Sequence, residues 1–104
     1  MAISSNQITS ADNTRIFLAV GEQAITTILF CNTSEVDTVS LDVWAVGNFD
    51  VVSDATLILK KLVLPPTETF VMDAEKFILS DSDALWAKAD VDLVVSATVS
   101  SVSI

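Results

Sequence analysis

A chain of 104 residues with a formal net charge of −9, a pI of about 4.1 and a mean hydropathy of +0.58 has the size of one domain. Its only cations are Arg15, Lys60, Lys61, Lys76 and Lys88. These are too few to displace counterions from phosphates, so nucleic acid is excluded as a partner, and the same field opposes anionic membranes. With no His, two Gly and one Cys, the chain cannot build a Ser–His–Asp triad, a Gly-rich phosphate loop or an intrachain disulfide.

In chain order, residues 1–13 open with Met-Ala-Ile-Ser-Ser-Asn-Gln. They lack the basic start and apolar stretch of a secretory signal, and the expectation is an extended N-terminal arm. Ala24 to Asn32 (AITTILFCN) reads as a strand rich in β-branched residues, which favour a pleated sheet. Cys31 lies in its apolar run and is expected to be a buried, inert thiol. One free Cys and no signal fit synthesis in a reducing cytoplasm.

Asn32-Thr-Ser-Glu35 reads as a turn, and Thr38 to Val46 as the clearest strand. Val39, Leu41, Val43 and Ala45 share one face; Ser40, Asp42 and Trp44 share the other. Gly47 to Ala55 is a loop. Thr56 to Leu64 is an apolar strand around Lys60-Lys61, stopped by Pro65-Pro66. Short strands follow at Thr69–Met72, Phe77–Leu79 and Ala84–Ala89, with a single 3₁₀ turn expected over Asp73 to Lys76. Leu93 to Ile104 closes the chain. Its apolar phase changes between Val99 and Val102, which suggests a bulge or a crossing between sheets in that strand.

Two segments also read as helices: Ser53-Asp54 as a cap with Pro65 as the stop, and Ser82-Asp83 as a cap for Ala84 to Ala89. The strand pattern around both favours strands. Thirteen of the fourteen acids fall between these segments, leaving Asp42 alone inside one. Short strands so punctuated predict an all-β fold: one small antiparallel β-sandwich of about eight short strands over 1–104, jelly-roll or Ig-like. No apolar run approaches the roughly 18 residues of a membrane-spanning helix.

No residue pattern carries catalysis. The pairs Asp81-Ser-Asp83 and Asp90-Val-Asp92 offer only part of the six to eight oxygens that calcium takes, and they read as ordinary turn acids. Paired carboxylates could hydrolyse glycosides, but Tyr is absent and only Trp44 and Trp86 offer broad stacking faces. The expectation is therefore a non-enzyme with no cofactor and no metal. Contact residues are the candidates that remain. Trp44 and Trp86 could anchor a protein interface or lie under the domain's own loops, for Trp44 through Phe49. Phe49 itself sits in the long loop. Lys60 and Lys61 could meet an acidic partner, or place one lysine on each face of an exposed edge strand, where Lys discourages edge-to-edge pairing.

The order of these segments carries a resemblance. A strand ending in Cys-Asn-Thr-Ser (31–34) leads to one ending in Trp-Ala-Val-Gly-Asn (44–48). After a long loop come Leu57-Ile-Leu-Lys-Lys-Leu and Pro65-Pro-Thr-Glu-Thr69. Asp73-Ala-Glu-Lys-Phe-Ile-Leu79 and Asp81-Ser-Asp-Ala-Leu85 follow, then Ser-Ala-Thr-Val-Ser (96–100). Over most of 23–104 this resembles the small β-sandwich structural proteins of tailed bacteriophages, cyanophages included. The resemblance implies a virion component, a capsid decoration (cement) protein or an accessory protein of tail, neck or baseplate. Its partners would be the major capsid protein or other virion proteins, and further copies of itself in a homotrimer. Relatives in this pattern carry Gly where Thr67 stands and Gly-Asp where Ser82-Asp83 stands. Gly supplies positive φ in such turns, so these two turns are expected to differ here.

Overall fold

The computed structural model describes residues 2–10 and 12–103, with side chains for all of these except Ala2 and 73–77. Eight strands follow in order: β1 (Ala2–Ile8), β2 (Thr14–Leu18), β3 (Gln23–Asn32), β4 (Val39–Val46), β5 (Leu57–Leu64), β6 (Thr69–Leu79), β7 (Ala84–Ala89) and β8 (Val95–Ser103). They form two four-stranded sheets, β1-β8-β3-β6 and β2-β7-β4-β5. Every pairing is antiparallel, and β1 with β8, β2 with β7, β3 with β6 and β4 with β5 make one long folded hairpin. Rolling such a hairpin into two sheets gives the jelly-roll order. The fold is thus a small all-β sandwich, and of the two topologies open to the sequence it takes the jelly roll.

The central strands bury alternate residues against the opposite sheet, most regularly in β8, β7 and β4. Ile8, Ile25, Ile28, Phe30, Val95, Ala97 and Val99 come from the first sheet. Ile16, Val39, Leu41, Val43, Leu85, Ala87 and Ala89 come from the second. Phe30 is the largest fully buried side chain. Asn32 lies in the same layer, equally buried, and is satisfied at both ends of its amide. Its Nδ2 donates to the carbonyls of Asp37 (2.8 Å), Leu64 (3.0 Å) and Pro65 (3.2 Å), and its Oδ1 accepts the Ser34 N–H at 3.0 Å. Asn32 ends β3 and Leu64 ends β5, so one amide joins the two sheets at that end.

Several expectations change. Residues 2–8 of the expected arm pair with residues 95–101 of β8 as an edge strand. Among the described side chains of β1 only Ile8 is fully buried, so no apolar alternation announces the strand. β2 hides for another reason: its pairing with β7 slips between Arg15 and Phe17, and Ile16 falls in the slip. β8 keeps one phase through Ser101, which is buried, and Val102 points outward. The bulge sits in its partner β3, where the registers with both β6 and β8 shift between Ile25 and Thr27. The same irregularity lies on β6 where the 3₁₀ turn was expected. Ile25 pairs with Phe77 and Thr27 with Asp73, so strand continues over 69–79 around a bulge. Asp73 and Glu75 thus join Asp42 within strands.

The helix readings reduce to one 3₁₀ turn over Asp54–Thr56, closed by the Ser53 N–H donating to Thr56 Oγ1 at 3.1 Å. Leu57 to Leu64 and Ala84 to Ala89 are strands. Cys31 is half-buried rather than buried, because Phe30 and Asn32 take the inward positions on either side of it.

Candidate interaction surfaces

The two outer faces differ in chemistry. On the first sheet, the rows across β1-β8-β3-β6 run Gln7–Ser96–Cys31–Thr69 and Ser5–Thr98–Leu29–Val71. Ile3–Ser100–Thr27 comes next, and Val102–Ala24–Ile78 lies beyond the bulge. None of these side chains is charged, while Asp73 follows Thr27 in its row on β6. Ile3, Val71, Ile78 and Val102 are exposed. Side chains 73–77 lie outside the described set.

On the second sheet the outer rows are polar and aromatic. Arg15, Trp86, Trp44 and Leu57 stand level across the four strands, and Lys88 stands level with Asp42. Arg15, Lys60, Lys61 and Lys88 all belong to this sheet. Lys60 and Lys61 lie together opposite Asp42, as an extra residue that makes a bulge in edge strand β5. Lys61 takes a left-handed φ of 52°, and its N–H donates to Asp42 Oδ1 at 2.7 Å. Both lysines are exposed on this edge strand. From the Lys88–Asp42 row, on the side away from the tryptophans, extends a groove of about 410 Å³ lined by Ser10, Ser40, Asp42, Lys61, Lys88, Ala89 and Asp90.

Trp44 faces outward yet is only 8% exposed. The 3₁₀ turn packs against β4, and Trp86 and Leu57 flank Trp44 in register. Phe49 does not cover Trp44, since it is itself 97% exposed. Trp86 is half-buried. The structure thus groups Trp44, Trp86, Lys60 and Lys61 on one sheet and sets Phe49 apart on a loop.

The turn acids act as pins between loops. Asp83 Oδ1 accepts the Asn48 N–H and its Oδ2 the Ser80 N–H, both at 2.9 Å. Asp81 Oδ1 accepts from Gly21 at 2.7 Å, Asp90 Oδ1 from Ser40 at 2.8 Å and Asp92 Oδ1 from Ser10 at 3.1 Å. Both close acid pairs are therefore engaged with backbone amides, of other loops, of β4 and, for Asp83, also of its own turn. Among the described residues no three His, Cys, Asp or Glu gather as a metal set.

Three tight turns share an unusual backbone. Those closed by Asp50 N–H to Gly47 O, Glu68 N–H to Pro65 O and Asp83 N–H to Ser80 O hold Phe49, Thr67 and Ser82 at φ of 71°, 66° and 70°. This third turn position favours Gly. Thr67 and Ser82 thus adopt the left-handed backbone without glycine.

Sequence reasoning missed the bridging role of Asn32, the bulge pin of Asp42 and the clustering of Arg15 and Lys88 with the lysine pair. Each depends on register between strands distant in sequence, which no local pattern encodes. No family model, no curated protein and no solved structure matches the chain.

Proposed function

We propose that this chain is a non-enzymatic structural virion protein, a capsid decoration protein that cements the shell as a homotrimer. The observation that supports this reading best is the outer face of β1-β8-β3-β6, uncharged at every described side chain in a chain of net charge −9. A flat sheet of Ser, Thr and aliphatic residues suits contact by area and shape. Four strands about 4.8 Å apart and some eight residues long, at about 3.3 Å each, present roughly 500 Å². A standard interface takes about 800 Å² per partner, so one face alone binds modestly. Three such faces on one trimer bind with avidity, and local three-fold positions on an icosahedral shell receive them. The jelly roll itself recurs in viral capsid proteins and lectins, which is an analogy of fold and not of function.

Cryo-electron microscopy and mass spectrometry of the purified parent particle test the reading. Density for this chain on the capsid surface is expected, and absence of the chain from purified virions would sink it. Density at the tail, neck or baseplate would move it to an accessory role. Phe49 supports a second reading, a module that recognises a host-surface glycan or protein. Binding of the isolated domain to a glycan array or to host cells would favour that reading, and binding to capsids alone would exclude it.

A further inference from the structure

Charge is segregated along this molecule. All five cations lie in strands, and four of them, Arg15, Lys60, Lys61 and Lys88, lie on the second sheet. The loops between β2 and β3, β4 and β5, and β6 and β7 meet at one end, tied by the Ala19 N–H to Asp83 O (2.8 Å) and the Asn48 N–H to Asp83 Oδ1 (2.9 Å). These loops carry acids and no Lys or Arg. From this acidic end Phe49 projects with 97% of its surface exposed, and Val51 beside it is 70% exposed. Phe49 is unfavourable twice in the isolated chain, as a bare aromatic ring and as a bulky residue at φ 71°. A cost of this kind at an exposed tip points to a partner that receives the side chain.

We infer that the partner is a second copy of this chain: Phe49 and Asp50 of one copy insert into the groove between Lys61 and Lys88 on the second sheet of the next. The charges choose this occupant. The acidic end repels another acidic end, and the other loop end also lacks Lys and Arg. The second sheet is the one surface among the described residues where cations gather. Ser10, Ser40 and Asp90 place the groove toward the opposite end of the molecule from Phe49. A chain therefore cannot fill its own groove. Asp42 and Asp90 line the groove beside Lys61 and Lys88, each accepting a backbone N–H, of Lys61 and Ser40; the lysine heads, on the sheet that gathers four cations, meet Asp50 and the face of the ring. The lysine stems supply apolar walls. Because tongue and groove are different surfaces, the contact is heterologous and can close into a ring.

The ring rests on the trimer part of the proposed function, and its test needs only the purified chain. Native mass spectrometry at micromolar concentration is expected to show a trimer that weakens as salt rises. Phe49→Gly removes the tongue and Lys61→Glu/Lys88→Glu removes the groove. Each is expected to weaken association at least about 30-fold and to give a folded monomer by circular dichroism. An equimolar mixture of the two variants keeps one intact tongue and one intact groove, and is expected to form a 1:1 dimer that goes no further. Lys60→Glu/Arg15→Glu carries the same charge change outside the groove and is expected to leave the trimer in place. A wild-type monomer, a Phe49→Gly trimer or a mixture that stays monomeric would overturn the inference. Absence from virions would instead remove the capsid role and leave the ring standing.

Discussion

The two outer faces of this sandwich cover one shared core, yet they are built from different chemistry. The first sheet shows Ser, Thr and aliphatic side chains without a described charge, while the second shows a tryptophan pair, the lysine bulge and Asp42. Stability does not demand this difference, because either set of residues can sit on the solvent side of a sheet. Among the described side chains one face is free of charge, and the other gathers four of the chain's five cations. The acids between the strands do structural work on both, by accepting backbone N–H groups that the loops cannot pair otherwise.

If the sheets are a single cooperative unit, breaking the joint between them should cost more than any change on one face. Asn32→Ala leaves the carbonyls of Asp37, Leu64 and Pro65 and the Ser34 N–H without their partner. A loss of about 3 kcal/mol or more is expected, from several buried groups at about 1–3 kcal/mol each, read by urea unfolding with both tryptophans and circular dichroism as probes. Coincident transitions are expected. A tryptophan transition that separates from the circular dichroism signal would show that the two sheets unfold apart.

A change confined to the second sheet comes next. Asp42→Ala removes the acceptor for the Lys61 N–H and should cost about 1.5 kcal/mol, in the range for hydrogen bonds to charged groups. Hydrogen exchange should rise at Lys61 and along β5 while β1, β3 and β8 stay protected. Equal loosening of both sheets would contradict the local role of the bulge.

The smallest effects have the opposite sign. Thr67→Gly and Ser82→Gly relieve a left-handed backbone at about 1–2 kcal/mol, less about 0.5–1 kcal/mol for the added freedom of Gly when unfolded. Each should raise stability by about 0.5–1 kcal/mol in thermal unfolding, and a loss would show that these side chains make contacts worth more than the strain.

Much of the sandwich was legible in the sequence because period-two alternation reports burial directly. Val39, Leu41 and Val43 alternate with Ser40 and Asp42, and β4 folds as they indicate. Alternation fails where both faces are similar or where a residue is inserted. β1 has a single fully buried residue among its described side chains, Ile8, and β2 slips at Ile16. Val102 seemed to change phase in β8 because the inserted residue belongs to β3, across the ladder. The contact surfaces were legible only as residue types. Trp44, Phe49, Lys60, Lys61 and Trp86 could be named, but whether Trp44 is covered and which lysines cluster depends on pairings between distant strands.

The claim that the uncharged face makes the contact with the shell is tested most directly by binding of the purified chain to parent capsids that lack it. Val71→Glu/Thr98→Glu places two charges in one outer row of the first sheet and should leave unfolding within about 1 kcal/mol of wild type, at about 0.5 kcal/mol per surface change. The account predicts that this variant loses at least about tenfold in capsid affinity, whereas Lys60→Glu on the second sheet binds as wild type does. Wild-type capsid binding by Val71→Glu/Thr98→Glu would contradict it.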